Sequence, residues 1–178
     1  AEKVLARTID YAVLLILMNT PMRKGEIVSL NTENLINDGA NKYIEHVSLK
    51  KRSTKVIWVR VPISDKVYEG IKKYVDLDHQ RTPGSPLLKT LGKHGPYESK
   101  RITPTAIDLI VQKYVDQAEI QKRITAHSFR ASYITARKHH DAWTLQQLGG
   151  WASINSMSPY VRETQEELKE AALEFQFA

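Results

Sequence analysis

The stretch RITAHSFRASYITARKHH, residues 123–140, combines a helical pattern with two residues that suggest chemistry. It predicts a helix from about His127 to Lys138. His127 and Arg130 are three positions apart, and side chains three or four apart on a helix leave the same face. That face therefore presents a permanent cation beside a titratable donor, although a His-x-x-Arg pair also arises often by chance.

The composition describes an ordinary globular chain with an excess of positive charge. Its 178 residues (20.3 kDa) suit one domain with a substantial core. The 26 Lys and Arg residues outnumber the 20 Asp and Glu residues, which gives a formal charge of +6. This excess favours an anionic partner such as nucleic acid, but many basic proteins bind none.

The residue content excludes several kinds of protein. Because the chain has no cysteine, disulfides, thiolate zinc sites and a cysteine nucleophile are ruled out. The most apolar run, YAVLLILM at 11–18, is shorter than the roughly 20 residues that a membrane span needs, and no secretory signal precedes it. We therefore expect a cytoplasmic protein with no membrane partner.

Helical patterns cover much of the chain. Residues 2–19 are rich in helix formers and predict a helix buried on most sides. Thr20 is expected to cap a second, short helix with Pro21 in its first position, and Thr103 is expected to start another with Pro104 inside it. Further helices are predicted at 64–75, in WTLQQLGG and in the tail TQEELKEAALEFQF.

The sequence changes character between Asn34 and Ile63. KYIEHVSL and KVIWVRVPI are β-branched and aromatic runs, and the polar KKRST joins them. This pattern predicts an antiparallel hairpin with a basic tip. Residues 76–101 are rich in Pro and Gly and predict a long irregular loop, a candidate for a mobile surface segment.

Four groups of residues could carry chemistry, and each also has an ordinary structural explanation. A lone arginine is usually at the surface or ion-paired, hairpin tips are basic because they are solvated, and large aromatic residues usually belong to the core or its boundary. The groups are Arg23 with Glu26, the hairpin lysines Lys50, Lys51 and Lys55, the pair His127 and Arg130, and Trp151 with Tyr160.

Taken in order, these groups resemble the catalytic domain of the tyrosine recombinases, the phage-integrase family. That family carries an Arg in an R-x-x-E turn, a Lys in a β-hairpin, a His-x-x-Arg, and a Gly-His or Gly-Trp nine residues before the nucleophilic Tyr. Here NTPMRKGEIVSL, AHSFRASYITA and LQQLGGWASINSMSPYV supply the matching residues. The resemblance covers essentially the whole chain, and the combination is specific although no single motif is.

Three positions depart from the family pattern. Pro21 replaces the usual glycine before Arg23. Trp151 replaces the commoner histidine, although an indole N–H can still donate one hydrogen bond to a phosphate oxygen. The second hairpin strand is longer than usual, so three lysines compete for one role, and Lys51, just before the turn, is the preferred candidate.

The resemblance implies that Tyr160 attacks a DNA phosphodiester and forms a covalent phosphotyrosyl link. Arg23 and Arg130 would clamp the phosphate, because a guanidinium is permanently charged and forks onto two oxygens. His127 and Trp151 add donors to the same phosphate. Lys51 would protonate the departing 5′ oxygen as general acid.

No metal or cofactor is expected. Tyrosine attack conserves the phosphodiester as an ester that a DNA hydroxyl can reclaim, and no group of convergent carboxylates surrounds these motifs. His139 and His140 are adjacent, so they diverge on a helix, and no cysteine is available to complete a zinc site.

The resemblance also implies a fold, a function and partners. The fold class is mixed α+β and mainly helical, with a small antiparallel sheet packed at one edge of a helical core. Residues 1–178 are expected to form a single catalytic domain, a fragment without the family's N-terminal DNA-clamping domain. The function is that of a site-specific DNA recombinase or integrase of a mobile genetic element.

The expected partners are double-stranded DNA and further copies of the chain in a synaptic complex, a tetramer by resemblance. The C-terminal helix, with Leu168, Ala172 and Phe175 on an apolar side, is the candidate protein contact. Two alternatives stay open: relaxation of DNA in the manner of a type IB topoisomerase, and a catalytically inactive DNA-binding protein of the same fold.

Overall fold

The computed structural model describes residues 2–48, 57–79, 81–90 and 100–151. Within these ranges lie six α-helices, a short 3-10 helix and three strands. The helices are α1 (Glu2–Asn19), α2 (Lys24–Ser29), α3 (Asp65–Asp76), α4 (Pro104–Gln117), α5 (Ala126–Thr135) and α6 (Ala142–Gly149); the 3-10 helix is Thr32–Asn34. The strands are β1 (Leu35–Asn37), β2 (Lys42–Val47) and β3 (Trp58–Pro62).

The core forms around α1, which packs against α3, α4 and α5. The second half of α1 is apolar on several sides, so it buries side chains against all three neighbours, as the sequence predicts. The centre of the core consists of aliphatic side chains with no exposed surface, among them Ile16, Ile27, Ile44, Ile71 and Ile107. A smaller buried cluster lies beside it, made of Tyr133, Ile134, Leu145 and Trp151.

The junction between α1 and α2 differs from the prediction. The Thr20 hydroxyl donates to the carbonyl of Ile16, 2.7 Å away, so Thr20 belongs to the end of α1. Helix α2 begins after Arg23, whose backbone N–H donates to the Glu26 carboxylate at 2.6 Å. The prediction of a Thr20 cap with Pro21 in the first position was therefore wrong, because a threonine can bond back to a carbonyl one turn earlier.

The sheet is antiparallel in the order β1-β2-β3, with Leu35 opposite Ile44 and His46 opposite Val59. The predicted hairpin is confirmed for β2 and β3, and its tip lies outside the described residues. Strand β1 was not predicted. Three residues are too few to show an alternating pattern, and β1 is held by its pairing with β2.

Part of the predicted loop 76–101 is packed onto the core. Leu87 and Leu88 are 0% and 2% exposed. The Lys89 ammonium lies 2.8 Å from a buried Asp78 carboxylate oxygen, and Arg81 donates to the Leu87 carbonyl at 2.8 Å. The prediction of a surface segment was wrong for Leu87, Leu88 and Lys89, which are buried. The Leu87 N–H donates to the Leu30 carbonyl at 2.9 Å, a long-range partner that local Pro and Gly content does not reveal.

The later helices follow their predicted starts. The Thr103 hydroxyl accepts a hydrogen bond from the Ala106 N–H at 3.1 Å, with Pro104 in the first turn, so this cap is confirmed. Helix α5 ends at Thr135, three residues before the predicted Lys138. The predicted tail helix lies outside the described residues.

The fold class is confirmed as mixed α+β and mainly helical. The sheet lies at one edge, where β2 contacts α2 and α3 and β3 contacts α6. None of the helices that the structure describes is both long and apolar enough to cross a lipid bilayer.

Candidate active site

Arg130, on α5, is the buried centre of the site and is 3% exposed. Its Nη1 donates to the carbonyl of Pro21, and its Nη2 donates to the carbonyl of Gly149 at 2.9 Å. The guanidinium also lies over the Trp151 ring, 5.0 Å from the centroid. Carbonyl dipoles orient a cation without cancelling its charge, so these contacts fix the plane of the guanidinium while it stays fully positive.

The end of α6 is shaped to bring Trp151 against Arg130. Gly150 takes a left-handed conformation (φ +58), which glycine adopts without strain and which ends the helix. The Trp151 ring then folds back over Gly149: a Cβ on Gly149 would lie 2.4 Å from the ring atom Cε3. Any larger residue at position 149 would push the ring away, so the packing favours glycine before Gly150 and Trp151.

Arg23 lies at the N-terminus of α2 and is more exposed than Arg130. Its Nη1 is 2.9 Å from Oε1 of Glu26; the Arg23 side chain is 36% exposed and that of Glu26 only 1%. The buried carboxylate also accepts the Arg23 backbone N–H, so Glu26 fixes both ends of this arginine. Pro21, which binds Arg130, is only two residues away, so residues 21–23 connect the two guanidiniums.

His46, on β2, is a buried member of the site that sequence reasoning missed. It is 5% exposed, and its Nδ1 lies 3.3 Å from the Val47 carbonyl. Burial lowers the pKa of His46; Glu26 opposes this effect, while Arg23 and Arg130 reinforce it. Both arginines and the glutamate therefore lie close enough to act on one imidazole.

A signal for His46 was present in the sequence. In the predicted strand KYIEHVSL, alternate residues face one side of the sheet, so His46 shares the inward side with Ile44. Both are buried in the structure. A histidine on the apolar face of a strand could have been proposed as a site residue once the sheet was placed beside the Arg23 turn.

The end of β2 lies against the end of α6. The hydroxyl of Ser48 donates to the Gly150 carbonyl at 3.4 Å, which places the last described residue before the hairpin tip next to Trp151. Lys51 and Tyr160, like Lys50 and Lys55, lie outside the described residues.

His127 is placed differently from Arg130. It lies in the first turn of α5 and is exposed, and it lines a surface cleft together with Lys24 and Asp108, which form an ion pair at 2.6 Å. Arg130 therefore faces the interior and His127 the rim. Lys24 directly follows Arg23, so this rim adjoins the arginine site.

The described residues offer little for metal binding. Within those ranges no group of three His, Asp or Glu side chains is close enough to hold a metal ion. His139 and His140 are both exposed.

The cluster of Arg23, Glu26, His46 and Arg130 can bind an anion. Two guanidiniums against one carboxylate leave one positive charge in excess, and Arg130 is held in a fixed orientation before any ligand arrives. A fixed pair of forked cations in a partly buried place is suited to a phosphate group, especially one that gains charge during reaction.

The structure is a mainly helical domain that brings Arg23, Arg130 and Trp151 to one place. The chain belongs to the phage integrase family, whose model matches residues 2–167.

Curated relatives and solved structures agree with this assignment. The chain is 27% identical over 164 residues to the tyrosine recombinase XerA of Pyrococcus furiosus, covering 91% of this chain and 53% of the relative. It is 24% identical over 164 residues to the tyrosine recombinase XerC of Pelotomaculum thermopropionicum, covering 90% and 51%. The chain thus spans about half the length of these relatives.

Two solved structures share the fold. The crystal structure of XerA recombinase matches with a TM-score of 0.72 and 22% identity, covering 97% of this chain and 60% of that one. The XerH site-specific recombinase bound to a palindromic difH substrate matches with a TM-score of 0.74 and 19% identity, covering 94% and 46%.

Proposed function

We propose that this protein is a site-specific DNA recombinase that cuts and rejoins DNA through a 3′-phosphotyrosyl intermediate. The observation that carries the proposal is the gathering of Arg23, Arg130 and Trp151, distant in sequence, around one site in a chain of the phage integrase family. Relatives named as tyrosine recombinases and a similar fold in a recombinase bound to its DNA site support it.

In the proposed reaction the Tyr160 hydroxyl loses its proton to solvent, and the resulting phenolate oxygen attacks the phosphorus of a DNA phosphodiester. The bond between phosphorus and the 5′ oxygen breaks, Lys51 gives that oxygen a proton, and the 3′ phosphate remains as an ester of Tyr160. A 5′ hydroxyl of a second strand reverses these steps and releases the tyrosine. Since every bond broken is replaced by an equivalent ester, no oxidant or nucleotide is consumed.

Arg23 and Arg130 would lower two energetic costs of the reaction: the growing charge on the phosphate and the formation of the Tyr160 phenolate. Negative charge grows on the nonbridging oxygens during attack, and in this proposal Arg23 and Arg130 stabilise it. Forming a phenolate at neutral pH from a group with a pKa near 10 costs about 4 kcal/mol, and nearby cations reduce that cost. Trp151 and His127 would add donors to the phosphate.

The proposed substrate is double-stranded DNA, bound largely through its phosphates. Affinity should therefore fall with salt, with a log–log slope of about −0.9 for each phosphate neutralised. We further propose that residues 1–178 are one catalytic domain, that it acts in the cytoplasm, and that copies assemble on DNA as a synaptic tetramer through the C-terminal helix.

The central test is formation of a covalent adduct. The protein is incubated at low salt, in EDTA, with a library of nicked duplexes that carry a randomised core, and complexes that resist boiling in detergent are recovered and sequenced. We expect adducts with a common core sequence. Tyr160→Phe should abolish them and leave DNA binding unchanged, whereas Tyr11→Phe, at an exposed tyrosine of α1, should form them normally.

Other results distinguish the alternatives. Normal binding without any adduct contradicts the recombinase proposal and supports an inactive binder. Adducts without sequence preference, together with relaxation of supercoiled plasmid, indicate a topoisomerase.

The lysine is assigned separately with a 5′-bridging sulfur substrate, whose leaving group needs no proton. Alanine variants are compared at three positions: Lys50, Lys51 and Lys55. We expect this substrate to restore cleavage only for Lys51→Ala; rescue of another variant reassigns the general acid.

A further inference from the structure

A surface cleft adjoins the arginine site, and most of its charged residues have no role in the proposed reaction. It has a volume of about 430 Å³ and lies between the start of α2, one side of α4 and the segment that leads into α5. Its lining includes Lys24, Asp108, Arg123 and His127. Lys24 directly follows Arg23, so the cleft is the immediate neighbour of the place where the scissile phosphate is proposed to bind.

The charges in this cleft favour an anion. Arg123 is exposed, and within the described part of the chain its side chain makes no hydrogen bond or ion pair. The Nζ of Lys24 lies 2.6 Å from Oδ2 of Asp108. Two cations against one carboxylate leave one positive charge in excess, without counting His127. The guanidinium of Arg123 is thus available to an anion that enters the cleft.

The pair of Lys24 and Asp108 is suited to exchange its partner. The two side chains are 38% and 46% exposed, and an ion pair in such a position is weak because water and salt compete for both groups. A phosphate that binds Arg123 would bring its own anionic oxygens to the Lys24 ammonium. The pair of Lys89 and Asp78 differs, because both of its side chains are buried and closed to such exchange.

We propose that this cleft binds a DNA phosphate that neighbours the scissile one on the same strand, with Arg123 and Lys24 as its ligands. Asp108 is the carboxylate that Lys24 releases when the phosphate arrives. The inference rests on the proposed function, which places the scissile phosphate between Arg23 and Arg130. Neighbouring phosphates of a strand are joined by a single sugar, and contacts to them fix the register of the DNA on a protein without reading its sequence.

The first test is independent of cleavage. Affinity for a short duplex of random sequence is measured by fluorescence anisotropy over a range of salt concentrations. The double variant Lys24→Gln, Arg123→Gln should bind more weakly and reduce the log–log slope by about 0.9, the value of one phosphate contact. The control Lys66→Gln, Lys73→Gln removes the same charge from exposed positions of α3 that do not line the cleft. An equal change of slope in both double variants overturns the proposal, as does an unchanged slope in the first.

Asp108→Asn tests the exchange of partners. Loss of the carboxylate frees Lys24 in advance, so DNA at low salt should bind more tightly, by up to about fivefold, the upper end for an exposed ion pair. Asp76→Asn is the matched control, because Asp76 forms a partly exposed pair with Lys72 on α3, and its effect should be smaller. Unchanged or weaker binding by Asp108→Asn contradicts the exchange.

The second test places the contact on the DNA. In a site recovered as a covalent adduct, an uncharged methylphosphonate replaces each phosphate that flanks the scissile one, and single-turnover cleavage is measured at limiting protein. Wild type should lose about tenfold at one flanking position, the size of a charge-assisted contact. Arg123→Gln should show no further loss there, because the contact is already absent. Losses that multiply at every flanking position show that Arg123 does not bind these phosphates and overturn the proposal.

The two tests separate this inference from the proposed function. If the protein forms no adduct, the recombinase proposal fails, and the salt slopes still decide whether the cleft holds a phosphate. If adducts form while the slope is unchanged and the methylphosphonate losses multiply, only the assignment of the cleft fails.

Discussion

Gly149 offers the sharpest test of how the site is held together. A methyl group at this position would lie 2.4 Å from Cε3 and 2.5 Å from Cζ3 of Trp151. Carbon atoms in favourable contact are about 3.5–4.0 Å apart, so the ring must move back by about 1 Å. Trp151 is only 7% exposed and lies over Arg130, and Arg130 also donates to the Gly149 carbonyl.

Gly149→Ala therefore displaces two partners of Arg130 at once. The overpacking should cost about 1–3 kcal/mol of folding free energy, partly offset by the roughly 1 kcal/mol by which alanine is the better helix former. A displacement of about 1 Å in a catalytic constellation can cost about 100-fold in rate. We expect a small loss of stability and a large loss of cleavage, with little change in DNA affinity.

Gly70→Ala is the matched control. The new methyl would meet Cδ1 of Leu15 at the same 2.4 Å, but between α1 and α3 and not at the Arg130 contacts. Urea unfolding gives the destabilisation of each variant, which for Gly70→Ala depends on how far the flexible Leu15 side chain moves. Single-turnover cleavage should be reduced only in Gly149→Ala. If Gly149→Ala cleaves at the wild-type rate, Trp151 and the Gly149 carbonyl do not position Arg130. If both variants lose the same activity, destabilisation alone is responsible.

Three further predictions concern charge. Arg130→Lys keeps the positive charge but cannot reproduce the two-pronged contacts of a guanidinium, so single-turnover cleavage should fall by about 10²–10³-fold at unchanged DNA affinity. A loss smaller than tenfold would show that the guanidinium geometry of Arg130 is not needed. Asp78→Asn leaves the buried Lys89 ammonium without its carboxylate, so urea unfolding should show a loss of about 3 kcal/mol, with normal cleavage by the protein that remains folded. The pKa of His46 is lowered in the folded protein, so on acidification the unfolded chain takes up this proton first. The contribution of His46 to the unfolding free energy is therefore constant above about pH 6.5. Below that pH the unfolding free energy should fall, by at most about 1.4 kcal/mol per pH unit. His46→Gln should lack that part of the slope, and an equal slope in both proteins would show that His46 titrates normally in the fold.

The local parts of the fold were readable from the sequence. Thr103 followed by Pro104 gives a helix start through contacts within four residues, and the alternating runs of β2 and β3 give a hairpin. The predictions that failed depend on which partner a group takes. Thr20 bonds back to the Ile16 carbonyl instead of capping α2, and β1 exists because β2 lies beside it. The buried residues near Leu87 are held from farther away, since the Leu87 N–H donates to the carbonyl of Leu30 at 2.9 Å. Sequence patterns do not encode which partner a group will take.

Part of the candidate site could likewise be predicted from the sequence, and part could not. The types of residue in it, two arginines, a histidine and an indole, follow from the chemistry of a phosphate and from the order of motifs. The role of Glu26 also has a local signal, since it lies one turn after Arg23. His46 was missed because a single buried histidine in a strand is read as part of the core unless the neighbouring charges are known.

The orientation of Arg130 could not have been predicted, because its partners include the backbone carbonyls of Pro21 and Gly149. Every residue has a carbonyl, so the choice of Pro21 and Gly149 leaves no mark on composition or spacing. The sequence contains one steric signal of this arrangement, the glycine at position 149, over which the Trp151 ring folds back. Since α5, the start of α2 and the end of α6 must all be in place before Arg130 is oriented, the site forms only with the complete tertiary structure. Substitutions that loosen any of these three contacts should therefore reduce cleavage even when every charged residue of the site is retained.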